Sequence, residues 1–148
     1  MGNSNDNIVS KLGILLASNY TLYLKTQNFH WNVVGPFFQT LHLMFEGQYQ
    51  ELALANDAIA ERIRSLGAPA PGTYKEFSEL SILEEPKAGL TANEMVKELL
   101  SDYEKLDEFT HALLTEASEV KDEGTVDLLT SRISVGEKTA WMLRSFLE

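Results

Sequence analysis

The sequence predicts an all-α fold, a four-helix bundle with a long crossover between its second and third helices. Three observations carry that expectation. Apolar residues recur at three- and four-residue spacing in four long segments and nowhere alternate as in a strand; glycines, prolines and capping residues fall between those segments; and one connection is far longer than the others. With 148 residues, 44% of them hydrophobic, the chain has enough apolar material for one ordinary domain, read as 1–148 with residues 1–6 a short flexible N-terminus.

The first helix is read from Ile8 to Val33, on the stripe Ile8, Leu12, Leu15, Leu22 and Phe29. Gly35-Pro36 separates it from the second, with Pro36 suited to that helix's first turn. Leu41, Phe45, Leu52, Ile59, Ile63 and Leu66 mark the second helix, which Gly67, Pro69 and Pro71 end. The connection from about Gly67 to Thr91 is too long for a hairpin, and its segment "YKEFSELSIL" predicts a short helix within the crossover. Thr91 and Glu94 form a capping box ahead of the third stripe, Val96, Leu99, Tyr103, Leu106 and Leu113. Gly124 and Thr125 mark the start of the fourth, which carries Val126, Leu129, Ile133, Ala140, Leu143 and Leu147.

Composition removes several kinds of chemistry. Cysteine is absent, which excludes disulfides, thiolate metal sites and cysteine nucleophiles, so any metal must be held by nitrogen and oxygen. A net charge of −10 sets the surface against phosphate backbones and makes it compatible with cations. No segment approaches the roughly 20 apolar residues that span a bilayer, and "MGNSNDNIVSK" lacks the pattern of a secretory signal. The expectation is a cytoplasmic protein with no membrane partner.

Two of the three histidines stand in one apolar and aromatic run, "TQNFHWNVVGPFFQTLHLMFE". The intra-bundle di-iron pattern, a carboxylate from each of two helices and Glu-x-x-His from each of the others, is not met. The first helix has no acidic residue, and the chain has a single Glu-x-x-His, Glu108 to His111, which reads as an exposed pair on a charged face. The second helix offers a different arrangement. At about 100° per residue, with His42 at zero, Glu46, Asp57 and Glu61 fall at roughly 40°, 60° and 100°, while the apolar stripe lies at roughly 260° to 300°. The four potential ligands therefore share a face that points away from the core, and His30 reaches them across the Gly35-Pro36 turn.

Distance then requires a second chain. Asp57 lies roughly 22 Å along the axis from His42 at about 1.5 Å per residue, outside one coordination sphere. The pair His42 and Glu61 and the pair Glu46 and Asp57 have the same midpoint, between residues 51 and 52. One two-fold axis between antiparallel second helices brings both pairs together, with Gln50 and Ala53 at the contact. Such a dimer carries two equivalent sites, each with His30, His42 and Glu46 from one chain and Asp57 and Glu61 from the other. Imidazole with carboxylate suits Fe(II), and also Zn(II) or Mn(II). Taken singly, each of these residues is as well explained by a solvated helix surface or a cap; their shared face and common midpoint favour a site. Trp31, beside His30, fits the core, an interface or a redox-active neighbour of a metal equally well.

The segment "KTQNFHWNVVGPFFQTLHLMFEGQYQELALANDAIAERIRSLG", residues 25–67, resembles the signature of the Dps family, the mini-ferritins known as DNA-binding proteins from starved cells, and the similarity continues in "KDEGTVDLLTSRISVGEKTAWML". The resemblance implies a ferritin-like bundle with a short crossover helix, a hollow homododecamer, and iron bound between two-fold-related subunits. The family's ligand pattern falls on His30, His42, Glu46, Asp57 and Glu61; Glu46 stands where Asp is frequent, a longer arm with the same donor. The resemblance further implies a ferroxidase that oxidises Fe(II) with hydrogen peroxide in preference to dioxygen and stores Fe(III) mineral, with Trp31 quenching stray oxidising equivalents. It also implies an acid-lined three-fold pore, for which Asp122, Glu123 and Asp127 are the candidates, with Gly124 where several members carry another acid.

Direct DNA binding is a separate expectation. Some members use a Lys/Arg-rich tail; the first ten residues here contain neither, and Glu148 follows directly on the last helix, so the sequence argues against it. Three functions follow: a ferroxidase and iron store, a nucleoid-compacting DNA binder of the same fold, or an acidic bundle whose polar face serves only assembly.

Overall fold

The computed structural model describes residues 3–148, which form four long helices and one short one: α1 (Asn3–Asn32), α2 (Phe38–Ser65), α3 (Tyr74–Leu80), α4 (Ala92–Glu119) and α5 (Glu123–Leu147). Of the expected flexible N-terminus, residues 1 and 2 lie outside the described residues, and from Asn3 the backbone is already helical. Pairing is antiparallel and local: α1 packs most extensively on α2 and α4 on α5, while α1 also meets α3 and α4. The predicted stripes turn inward to one core, in which Ile8, Leu12, Leu22, Leu41, Phe45, Leu52, Ile59, Val96, Leu99, Leu129 and Leu143 are fully or almost fully buried. Among the described residues, no helix is long and apolar enough to cross a membrane.

Helix ends explain where the elements stop. Pro36 is not in the first turn of α2 but ahead of it: the amide of Phe38 donates to the Gly35 carbonyl at 3.1 Å, closing a β-turn with proline at its second position. Gly35, the first residue of that turn, has φ 113°, a conformation that a side chain resists. At the other end of α2, Gly67 (φ 95°) donates to the Arg64 carbonyl and Ala68 to that of Ile63, a Schellman motif. Capping boxes start α3 at Thr73 and Glu76 and α4 at Thr91 and Glu94. The predicted crossover helix covers only "YKEFSEL"; Ser81 binds both the amide and the carbonyl of Leu83 through its hydroxyl, and the amide of Ile82 donates to Ser18 Oγ, which turns the chain away from the helix. The start of α5 is also earlier than Gly124 and Thr125: Asp122 is the N-cap, accepting from the Thr125 amide at 3.2 Å.

One ion pair crosses the core. Lys25 of α1 is buried, and its Nζ lies 2.7 Å from Asp102 Oδ2 and 3.2 Å from Glu98 Oε1 on α4. Burial pushes the Asp102 carboxyl above its usual range, against the opposing pull of Lys25. No local sequence pattern marks this lysine as internal.

Candidate metal centre

The short α1–α2 turn lays the last turn of α1 against the first turns of α2, and the two histidines lock across it. His30 Nδ1 donates to the carbonyl of His42 at 2.7 Å, and His42 Nδ1 donates to the carbonyl of His30 at 2.7 Å. The His30 carbonyl belongs to the last turn of α1, where carbonyls have no partner within the helix, so the second bond also caps it. A carbonyl only accepts, so each Nδ1 carries the proton, and in the neutral ring Nε2 keeps its lone pair. Both rings are thereby held in the tautomer and orientation a metal ligand needs. They stack with centroids 3.8 Å apart and planes 13° from parallel.

Glu46, one turn beyond His42, completes a three-residue group. Its Oε1 lies 3.9 Å from His30 Nε2, too long for a hydrogen bond, and one ligand atom from each of His30, His42 and Glu46 falls within 4.8 Å of the others. Two donors each about 2.1 Å from one ion can be up to about 4.2 Å apart, so the separation of His30 and the half-buried Glu46 is within what one cation would bridge. Asp57 and Glu61 are exposed on the same helix and are not part of this cluster. One chain thus brings together three of the five expected ligands, leaving the other two farther along the helix.

The surroundings add residues that sequence reasoning passed over. Tyr49 meets His30 edge-on at 5.2 Å and Phe38 stacks on His42 at 5.0 Å. Both had a signal: on the helical wheel they stand roughly 20° and 40° from His42, between the ligand face and the apolar stripe. Glu51, near the proposed dyad but on the opposite face, accepts instead from Nη1 and Nη2 of Arg132 on α5. Trp31 is 60% exposed, which removes the core from its three readings.

The remaining candidates separate. Asp122 is half-buried and occupied, capping α5 and accepting from Arg62 Nη2 at 2.7 Å. Burial raises its pKa, but bonds from Thr125 and Arg62 outweigh that and hold the carboxyl below its usual range. Glu123 and Asp127 are exposed. A Cβ at Gly124 would lie 2.7 Å from the Arg62 guanidinium, so the glycine leaves room for that contact. Glu108 does not form a pair with His111; helical rotation instead places His111 beside Asp107, one turn back, and Glu137 on α5.

Comparison with known proteins bears on the fold and the family. A ferritin-like domain model matches residues 9–148. DNA protection during starvation protein 2 of Bacillus anthracis is 41% identical over 143 residues, covering 97% of this chain and 98% of that relative. The chain belongs to the Dps family. Among solved structures, a Dps protein from Bacillus brevis superposes with a TM-score of 0.98 at 35% identity, covering 100% of this chain and 99% of that one. A Dps from Vibrio cholerae O1, described as a member of a broad superfamily of ferritin-like diiron-carboxylate proteins, has a TM-score of 0.95 at 30% identity, covering 98% of this chain and 91% of that one. The four long helices and the short crossover helix α3 are the Dps fold.

Proposed function

We propose that this Dps chain is a cytoplasmic ferroxidase and iron store, with Fe(II) as its substrate and a homododecamer as its working form. The observation that carries the reading is the reciprocal pair of Nδ1-to-carbonyl bonds, which leaves the Nε2 atoms of His30 and His42 free beside Glu46. Three ligands on one chain and two exposed carboxylates a symmetric distance away support a site completed by the partner's Asp57 and the partner's Glu61. The exposed apolar residues Phe38, Leu43 and Leu54 along the same helix support a covered face.

At such a site two Fe(II) ions each give one electron to hydrogen peroxide. The O–O bond breaks, and the two oxygens, with two further protons from solution, leave as two waters; the Fe(III) hydrolyses and mineralises inside the shell. Pairing two one-electron donors with a two-electron oxidant releases no hydroxyl radical, which protects DNA chemically. Trp31, exposed next to His30 in the chain, suits the quenching of stray oxidising equivalents, and Glu123 and Asp127 suit an acidic path for the incoming cation.

The test is an anaerobic Fe(II) titration of the assembled protein, sized by light scattering, followed by addition of peroxide. Saturable binding and consumption of two Fe(II) per peroxide are expected. Oxidation no faster than in buffer, or full activity in a monomer, overturns the reading.

A nucleoid-compacting role fits the charge poorly. At a net charge of −10, the metal-free protein is expected to leave linear DNA unretarded in a gel-shift assay at physiological salt and neutral pH. Retardation at submicromolar protein that persists in chelator would refute this.

A further inference from the structure

Halfway along the α4–α5 pair, a second group of mixed ligands stands outside the site described above. Asp107 and His111 are one turn apart on α4, and Glu137 faces them from α5. His111 Nε2 lies 3.4 Å from Glu137 Oε2 and 3.6 Å from Asp107 Oδ1, and the three ligand atoms fall within 4.8 Å of one another. Charge-assisted hydrogen bonds between such groups close to about 2.7–2.9 Å. By contrast, two ligands about 2.0–2.1 Å from one tetrahedral ion are about 3.3 Å apart. The His111–Glu137 contact is a long hydrogen bond and the Asp107–His111 contact is longer still, a spacing that one shared cation would also set.

A second observation points the same way. Asp107 Oδ1, the atom nearest the imidazole in that ion pair, is buried and makes no hydrogen bond. The imidazole is too far to bond it, and although the side chain as a whole is 30% exposed, this oxygen is shielded from water, which is costly unless a cation meets it. Burial and then the like charge of Glu137 hold the Asp107 carboxyl above its usual range. His111 and Glu137 are more than half exposed, so a cation can reach the group from solvent.

We propose that Asp107, His111 and Glu137 form a metal site, separate from the His30 centre, that binds one divalent first-row cation per chain through one imidazole and two carboxylates. This donor set suits borderline cations such as Zn(II) and Fe(II), and three protein ligands leave coordination positions for water. The site lies within one chain and does not depend on the ferroxidase reading.

Zn(II) is the probe. Equilibrium dialysis of the assembled protein is expected to find one Zn(II) fewer per chain in His111→Ala than in the wild type, with peroxide-driven Fe(II) oxidation unchanged. Glu137→Gln, which keeps the shape and removes a charged ligand, is expected to weaken binding at this site by about tenfold or more. Anomalous scattering from zinc-soaked wild-type crystals should place a peak at bonding distance from His111 Nε2. Equal stoichiometry and affinity in wild type and His111→Ala overturn the proposal, and a peak seen only in crystals means binding at crystal concentration only, which overturns it as well. A crystal with zinc at His30 and His42 but none at His111 does the same, since it leaves the three groups a plain ion triad.

Discussion

Co-assembling His30→Ala and Asp57→Ala chains in equal amounts restores up to about a quarter of the wild-type rate of peroxide-driven Fe(II) oxidation, although each variant alone is nearly inactive. The expectation follows from symmetry. In a two-fold dimer each substitution by itself damages both equivalent sites. In a mixed dimer one site lacks both residues and the other lacks neither. Random pairing makes half of the dimers mixed and leaves half of their sites whole, hence about a quarter. Loss even of a partner behind a metal ligand commonly costs 10- to 100-fold, so the recovered rate stands above a background of roughly 1–10%. Placing His30, His42 and Glu46 in one cluster and Asp57 outside it is what makes the two lesions complementary. No recovery after verified co-assembly would mean that Asp57 does not serve the same centre.

The largest expected effect on stability is at Lys25. Lys25→Met removes the cation from a pair whose side chains are 1% and 4% exposed, and leaves the Asp102 carboxylate buried without compensation. Breaking a buried pair in this way costs about 3–5 kcal/mol, a drop in melting temperature of roughly 6–20 °C for a chain of this size. The comparison is made at fixed protein concentration, because assembly also stabilises. Adding Asp102→Leu to the same chain should recover most of the loss, since apolar residues of similar volume replace a buried pair at little cost. Glu98 keeps water as its partner, being 39% exposed. The pH dependence has a definite sign. Asp102 is an acid whose native pKa is raised, foremost by burial, so its contribution is present at low pH and is lost as pH rises through that pKa. The deficit of Lys25→Met should therefore shrink on acidification. A double variant as unstable as the single one would show that Lys25 acts by packing alone.

Much of this molecule is local in origin. The stripes of apolar residues placed the four long helices, because burial of one helical face repeats every 3.6 residues and is written into the chain at that period. Capping boxes at Thr91 and the glycine at the end of α2 are equally local, one turn of hydrogen bonding each. Where the boundaries moved, a side-chain hydrogen bond intervened: Ser81, inside the expected segment, ended the crossover helix early, and Asp122 started α5 ahead of Gly124. The resemblance in residues 25–67 and the family comparison agree on the fold, which is one of four long helices with α3 in the crossover.

The candidate site was legible for a related reason and only in part. Angular position along a helix is arithmetic, so the sequence alone assigns His42, Glu46, Asp57 and Glu61 to one outward face, as two pairs with a common midpoint. That one chain gathers His30, His42 and Glu46 and leaves Asp57 and Glu61 apart agrees with the rise per residue. What the sequence alone could not determine is how side chains on different helices meet. The two Nδ1-to-carbonyl bonds, the buried pair of Lys25 and Asp102, the hold of Arg62 on Asp122, and the meeting of His111 with Glu137 rather than Glu108 all join positions on different helices. Such contacts depend on the rotation of each helix about its own axis and on the rotamers that packing leaves open. Those are properties of the folded core, and no repeat along the chain encodes them.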